Sequence, residues 1–364
     1  MRWIIVSSLA GWLAGCGGGG GAGQPAGPVA SVTPPPTTAS DPWARVTEAL
    51  ITHPVDDLAL IVGDANGVLF QYEKGAFRVT DEHRVASASK WLTSATVLTL
   101  VEQGVMSLDD RPQDYLAAWP ADPSDPRSRI TLTHLLSFTS GFHRSPADGG
   151  CIGDEQFNVQ SCVQQLQAME LDAEPGTTFF YGPVHMQIAA AMAEVATGQA
   201  WRELVTLALT QPLGMTSTRF EGTNPRASGG AISSAQDFAT FLQSHLSGAL
   251  LSSSFAELAE PRLTDVDIVS RPAAVEANGV DWYYALGVWR ECEAALWSAE
   301  CAARTRVSSP GAFGWYPWLD TDNGYFAVLA MEESVRLFTR PAESSVLLGK
   351  SLQALIVDAI ATPQ

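Results

Sequence analysis

Positive charge is what this chain has least of. Its 364 residues include three lysines, Lys74, Lys90 and Lys350, and 21 basic residues stand against 39 acidic ones. The net charge of −18 favours solubility and repels nucleic acid and anionic lipid headgroups. There is no basic patch of the kind a DNA or RNA binder needs. No Cys-x-x-Cys spacing and no nearby paired histidines point to a metal site, so no metal is expected. No cofactor is implied either. No internal repeat is visible, and no second apolar span follows the N-terminal one.

What is present at the N-terminus is Met1-Arg2, an apolar run over residues 3–13, and then Ala14-Gly15-Cys16. One positive charge, a short apolar core and small residues read as a secretory signal, too short to span a bilayer. The end Leu13-Ala14-Gly15-Cys16 is similar to a bacterial lipoprotein box, which makes Cys16 the expected site of lipidation. Acyl chains there would anchor the protein to a membrane of the bacterial envelope, with its domain in the periplasm or outside the cell. Residues 16–41 are rich in glycine and proline and read as a flexible, extended linker. The expected organisation is a signal at 1–15, a linker at 16–41 and one catalytic-sized domain at 42–362.

Beyond Cys16 four cysteines remain, in two local pairs. In an exported protein an even count favours disulfides, and three connectivities are possible. Local pairing, Cys151–Cys162 and Cys292–Cys301, is expected.

The scarce lysine matters most at Ser87-Ala88-Ser89-Lys90, which opens a long apolar stretch. If that stretch is a helix, positions i and i+3 share a face, and a serine hydroxyl meets a lysine amine. Such a pair is a candidate nucleophile and base. The spacing predicts helices over 43–51, 89–103, 131–138, 186–196, 235–245 and 344–360. Strands are expected over 58–62, 68–72, 283–289, 312–319 and 325–331, with a hairpin turn at Asp64-Ala65-Asn66-Gly67. Strands at both ends with helices between imply an α/β chain of the α+β type. Its antiparallel sheet is built from both termini, and a mostly helical subdomain packs beside it.

Further segments agree with Ser87–Lys90. They are Leu108-Asp109-Asp110, His134-Leu-Leu-Ser-Phe138-Thr-Ser-Gly141 and Pro175-Gly-Thr-Thr-Phe-Phe180-Tyr181. After these come Pro212-Leu-Gly-Met215, Gly229-Gly230-Ala-Ile-Ser-Ser234 and Ala235-Gln-Asp237. In order and spacing over about residues 55–335 the chain resembles the β-lactamase and penicillin-binding superfamily of serine hydrolases. The branch is that of class C β-lactamases, DD-peptidases and family VIII esterases. The resemblance implies a β-lactamase/transpeptidase-like fold. It also implies Ser87 as nucleophile, Lys90 as its base and Tyr181 as a partner in proton transfer. The N–H groups of Ser87 and Ala312 would form the oxyanion hole.

Two departures from the family pattern bear on substrate. The family's Tyr-x-Asn is Tyr181-Gly182-Pro183 here, so the asparagine amide is missing, and His185 is a candidate replacement. The family's Lys-Thr-Gly or His-x-Gly cannot exist, because no lysine lies between 90 and 350 and no histidine after 245. Ser309-Pro310-Gly311 stands there instead, with Ser309 and Gly311 as candidate substrate contacts. Arg304 and Arg306 are candidate substitute cations. Pro310 lacks an N–H and marks an expected sheet edge. Aromatics at 282–284, 315, 316 and 318 suggest an apolar acyl pocket. Together these favour an esterase acting on a small-molecule ester or amide through an acyl-enzyme. The alternatives are a peptidoglycan DD-peptidase or weak β-lactamase, or a non-catalytic envelope protein that retains the fold. No protein partner is evident.

Overall fold

Apolar runs from both ends of the chain meet in one antiparallel sheet. The computed structural model describes residues 41–144, 150–262, 265–276, 282–292, 297–331 and 340–362. The signal, Cys16 and the linker up to residue 40 lie outside the described residues. Helix α1 (Ala44–Thr52) leads into the hairpin β1 (Leu58–Asp64) and β2 (Gly67–Lys74). The hairpin turn forms as the sequence predicts, with the Asp64 carboxylate accepting the Asn66 N–H at 2.7 Å. Strand β3 (His83–Arg84) then precedes a 3-10 turn, Ala86–Ala88, and helix α2 (Ser89–Glu102).

The middle of the chain carries α3 (Leu132–Leu136), α4 (Val159–Leu166), β4 (Thr178–Phe180) and α5 (Val184–Thr197). Strands β5 (Arg219–Phe220) and β6 (Ala231–Ser233) are followed by α6 (Ala235–Leu246) and β7 (Asp267–Ser270). The C-terminal part supplies β8 (Tyr283–Tyr284), β9 (Trp289–Arg290), β10 (Arg306–Ser308), β11 (Tyr316–Asp320), β12 (Tyr325–Ala330) and α7 (Pro341–Ala361). The main sheet runs β2-β1-β12-β11-β10-β9-β8, so β1 from the N-terminal end pairs with β12 from the C-terminal end. This is the expected α+β architecture.

Residues 58–63 of β1 are all buried, which requires cover on both faces of the sheet. Helix α6 packs on β1 and β12, while α7 packs on β11, β12 and α1. By length and composition α7 could cross a membrane, an apolar span not expected from the sequence. Val346, Leu352 and Ile356 are fully buried in the core, and Gly349 abuts the Tyr316 ring. Helix α2 is buried nearly all round, as its unbroken apolar composition requires.

Four local expectations change. Residues 283–289 form a hairpin, β8 to β9, because the chain reverses through Gly287 at φ +83°. The strand expected from 312 begins only at Tyr316, since residues 312–314 form a turn. Helix α3 stops at Leu136, and Phe138 just beyond it sits at φ +61°. Pro310 lies past the end of β10, and β10 is paired on both sides by β9 and β11, so it marks no sheet edge. Both disulfides form as expected, Cys151–Cys162 and Cys292–Cys301.

Candidate active site

Ser87 sits in the 3-10 turn at the mouth of α2, and several contacts clamp that turn. The Ser89 hydroxyl donates to the Ala86 carbonyl at 2.6 Å and accepts the Ala231 N–H at 3.0 Å. The Ser309 hydroxyl donates to the Ser87 carbonyl at 3.2 Å. Ala86 is held at φ +45°, a region that L residues with a side chain rarely occupy. Such strain persists only where the surroundings over-determine it, as these clamps do.

The helix spacing brings Lys90 to Ser87, as the sequence predicts: Nζ lies 3.0 Å from Oγ. The amine also donates to the Ser228 carbonyl at 2.7 Å. Burial drives the Lys90 pKa from 10.5 down to about 7, and the positive charge of Arg226 pushes the same way. A buried ammonium has lost its water, and no carboxylate is paired with this one among the described residues.

Tyr181 follows β4 and reaches the same point from the other side. Its N–H donates to the Ser270 carbonyl at 3.3 Å, and the Ser87 hydroxyl near its phenol works against the rise in pKa that burial causes. The ring packs among Phe138, Phe179, Tyr284 and Trp289. Burial in that aromatic nest raises the phenol pKa well above 10. The Lys90 Nζ lies over the Tyr181 ring, 4.5 Å from its centre. Serine, lysine and tyrosine therefore converge, and all three line a cleft of about 690 Å³.

Other expected site residues lie elsewhere. His185 is fully buried and does not line the cleft. The Phe180 carbonyl can only accept, so Nε2 donates to it at 3.0 Å, and Nδ1 accepts from the Ser140 hydroxyl at 2.8 Å. Burial lowers its pKa to about 3, so it is a neutral strut behind Tyr181. Ser309 is buried and spends its hydroxyl on the Ser87 backbone, facing away from the cleft. Gly311 packs against the nucleophile turn, where an added Cβ would sit 2.2 Å from the Val85 carbonyl oxygen. Ala312 is exposed at the start of the turn that follows, with Phe313 beside it in the cleft wall.

Arg304 is exposed and pairs with Glu300 at 3.1 Å. Arg306 pairs with buried Asp320 at 2.7 Å and donates to Gln353 at 2.8 Å. Neither lines the cleft, because their side chains serve the far end of β10. The aromatics expected to form an acyl pocket, Trp282, Tyr283, Tyr284, Trp315, Tyr316 and Trp318, are all buried in the core. A sheet covered on both faces leaves none of them at the cleft. Glycines and charged side chains line it instead, among them Arg84, Glu155 and Arg226. Sequence reasoning missed Arg226, although it stands just before the recognised Gly229-Gly230 segment.

Gly311→Ala should cost about 1–3 kcal/mol, since neither backbone can move aside without shifting the turn that carries Ser87. Denaturant unfolding measures that loss. Turnover should fall with it, and a fully active, fully stable variant would contradict the packing.

A family model described as beta-lactamase matches residues 47–344. The chain belongs to the beta-lactamase family. Its fold is the fold of these serine hydrolases. A solved protein from Bacteroides dorei assigned to the beta-lactamases is 25% identical, with a TM-score of 0.72 over 86% of this chain and 97% of that one. Penicillin-binding protein 4 of Amycolatopsis lactamdurans is 30% identical over 183 residues, 48% of this chain and 47% of that protein. Protein flp of Staphylococcus aureus is 24% identical over 153 residues, 42% of this chain and 31% of flp. The matches thus span between about a third and a half of these curated relatives.

Proposed function

We propose that this beta-lactamase family member hydrolyses carboxylic esters through an acyl-enzyme on Ser87. The observation that carries the reading is the convergence of Ser87, Lys90 and Tyr181 beside a third segment without lysine or histidine. Neutral Lys90 takes the Ser87 proton as Oγ attacks the ester carbonyl. The N–H groups of Ser87 and Ala312 hold the oxyanion, each contributing about 3 kcal/mol in sites of this kind. Tyr181 protonates the departing alkoxide and recovers its proton from the Lys90 ammonium, which leaves an acyl-Ser87 ester. Water, giving a proton to neutral Lys90, then adds to that ester, and the proton passes to the departing Ser87 Oγ, releasing the acid and restoring the hydroxyl.

Pro183 in place of an amide, and Ser309-Pro310-Gly311 in place of Lys-Thr-Gly or His-x-Gly, remove two contacts through which the family pattern holds a lactam or peptide substrate. The Amycolatopsis likeness favours a second reading, a DD-peptidase or weak β-lactamase. A non-catalytic role is disfavoured, because a decayed site would be expected to lose one of the three converging side chains. The leader-like N-terminus supports export and lipid anchoring at Cys16 in the bacterial envelope, with a domain at 42–362 standing off the membrane on its linker.

The test uses purified full-length protein in detergent. p-Nitrophenyl butyrate should turn over readily and a chromogenic cephalosporin poorly, with both rates lost in Ser87→Ala. Cephalosporin turnover without ester turnover would overturn the ester reading in favour of the second. If a fluorophosphonate failed to label Ser87, both would fall.

A further inference from the structure

We infer that Arg226 is the anion-recognition group of this cleft, and that its substrates carry a carboxylate near the scissile carbonyl. This rests on the hydrolase reading and names its substrate class. The third segment supplies no cation, and Arg304 and Arg306 are committed elsewhere. Arg226 stands in the cleft wall, in the loop between β5 and β6. Its stem runs beside the nucleophile turn: a Cβ on Gly229 would meet Arg226 Cδ at 3.7 Å and the Ala86 carbonyl carbon at 3.9 Å. Its head lies over Gly153, where a Cβ would come within 3.2 Å of both Nε and Nη2. Gly153 belongs to the loop closed by Cys151–Cys162, and Nη2 donates to the Ile152 carbonyl there at 3.3 Å.

One bond to Ile152 orients the guanidinium and leaves most of its fork of donors uncommitted. Among the described residues no carboxylate pairs with Arg226, although the chain has 39 acidic residues to 21 basic ones. Arg127, Arg219 and Arg306 all have such partners. The carboxylates of the cleft are themselves engaged. Glu155 accepts from the Thr223 N–H and hydroxyl, and Glu221 pairs with Arg219. Arg84 lines the cleft as a second cation with no ion pair among the described residues. With Glu221 paired to Arg219, Arg84 and Arg226 outnumber Glu155, so the cleft presents net positive charge to a substrate in a chain that is acidic overall. A guanidinium fork matches a carboxylate two bonds at a time.

Arg226 also acts on Lys90, whose ammonium it disfavours. A bound carboxylate would offset that repulsion and leave the amine a stronger base once the substrate is seated.

Two matched pairs of esters test the assignment on full-length protein in detergent. One pair is 3-acetoxybenzoate and its methyl ester, with the charge on the leaving group. The other is monophenyl glutarate and its methyl ester, with the charge on the acyl group. The wild-type protein should prefer the charged member of at least one pair. Arg226→Gln should lower that charged-to-neutral ratio of kcat/KM by about tenfold or more, chiefly through KM. Arg226→Lys should lose part of it, since it keeps the charge without the fork. The acid limb of the pH profile should move to higher pH in Arg226→Gln, which a merely structural role would not produce.

Unchanged ratios in both pairs, in a variant that melts like the wild type, would overturn the inference. If Arg226→Gln does not fold, an unchanged preference in Arg226→Lys together with no salt dependence would do the same. If the wild type hydrolyses no ester, the ester reading fails on its own. Calorimetry of glutarate on Ser87→Ala, with and without Arg226→Gln, then decides the anion site: binding lost with Arg226 supports it, and no binding overturns it.

Discussion

Lys90→Ala is expected to cut ester turnover at pH 8 about as deeply as Ser87→Ala does, by roughly 10⁴–10⁶-fold. The two losses should not add in the double variant, because a serine without its base and a base without its serine fail at the same step. The pH profile carries the sharper test. With its pKa near 7, Lys90 holds a proton below that pH and cannot accept one from Ser87. The kcat/KM of the wild type should therefore rise through about pH 7 and flatten above it. A flat profile from pH 5 to 9 would remove lysine from the role.

The same lysine should weaken the fold. Its folded pKa lies below its unfolded value of 10.5, so the unfolded chain binds the extra proton between about pH 7 and 10.5. The cost of burying the ammonium is full below pH 7 and is relieved as the pH rises through that window. At about 1.4 kcal/mol per tenfold change, the full cost is on the order of 5 kcal/mol. Lys90→Met removes it but leaves the Ser228 carbonyl without its donor, which returns about 1–3 kcal/mol. The inactive variant should then be more stable by about 2–4 kcal/mol at pH 6, with the gap narrowing at pH 9.5. Urea unfolding at the two pH values measures the gain and its narrowing. A variant less stable than wild type at pH 6 would contradict the buried-cation account.

How far the sequence speaks depends on the distance over which a residue acts. Ser87 and Lys90 were legible because helix geometry alone joins positions i and i+3. The sheet was legible because β1 and β12 are apolar runs, and their burial on both faces needs no further information. Tyr181 was legible only through resemblance, since nothing local says that residue 181 meets residue 87. His185 looked available because it follows Tyr181 by four positions. It lies in the first turn of α5, facing inward, where Ser140 and Phe180 occupy both ring nitrogens. Arg304 and Arg306 were near the third segment in sequence but on the wrong end of β10 in space. Arg226 shows the reverse, since its nearness to Ala86 arises from folding across more than a hundred residues. The aromatics failed as a pocket because alternation along a strand separates two faces without saying that both are covered.

Tyr181→Phe should separate good leaving groups from poor ones. Two neighbouring groups share the site, and their environments push them apart. Burial lowers the Lys90 amine to about 7 and raises the Tyr181 phenol well above 10. At pH 8 the stable pair is a neutral amine and a protonated phenol. The reverse pair would need the weaker acid to lose its proton while the stronger kept its own. Geometry agrees, since the amine lies over the face of the phenol ring and bonds to the Ser87 hydroxyl. Lysine is thus the base for attack, and tyrosine the acid for departure. p-Nitrophenolate leaves unaided as a stable anion, so p-nitrophenyl butyrate should lose less than about tenfold in Tyr181→Phe. An ethoxide needs its proton, so ethyl butyrate followed by pH-stat should lose roughly 10²–10⁴-fold. The limb near pH 7 should stay in place in the variant, because it belongs to Lys90. Equal losses on both esters, or a limb that vanishes with the phenol, would move the base role from Lys90 to Tyr181.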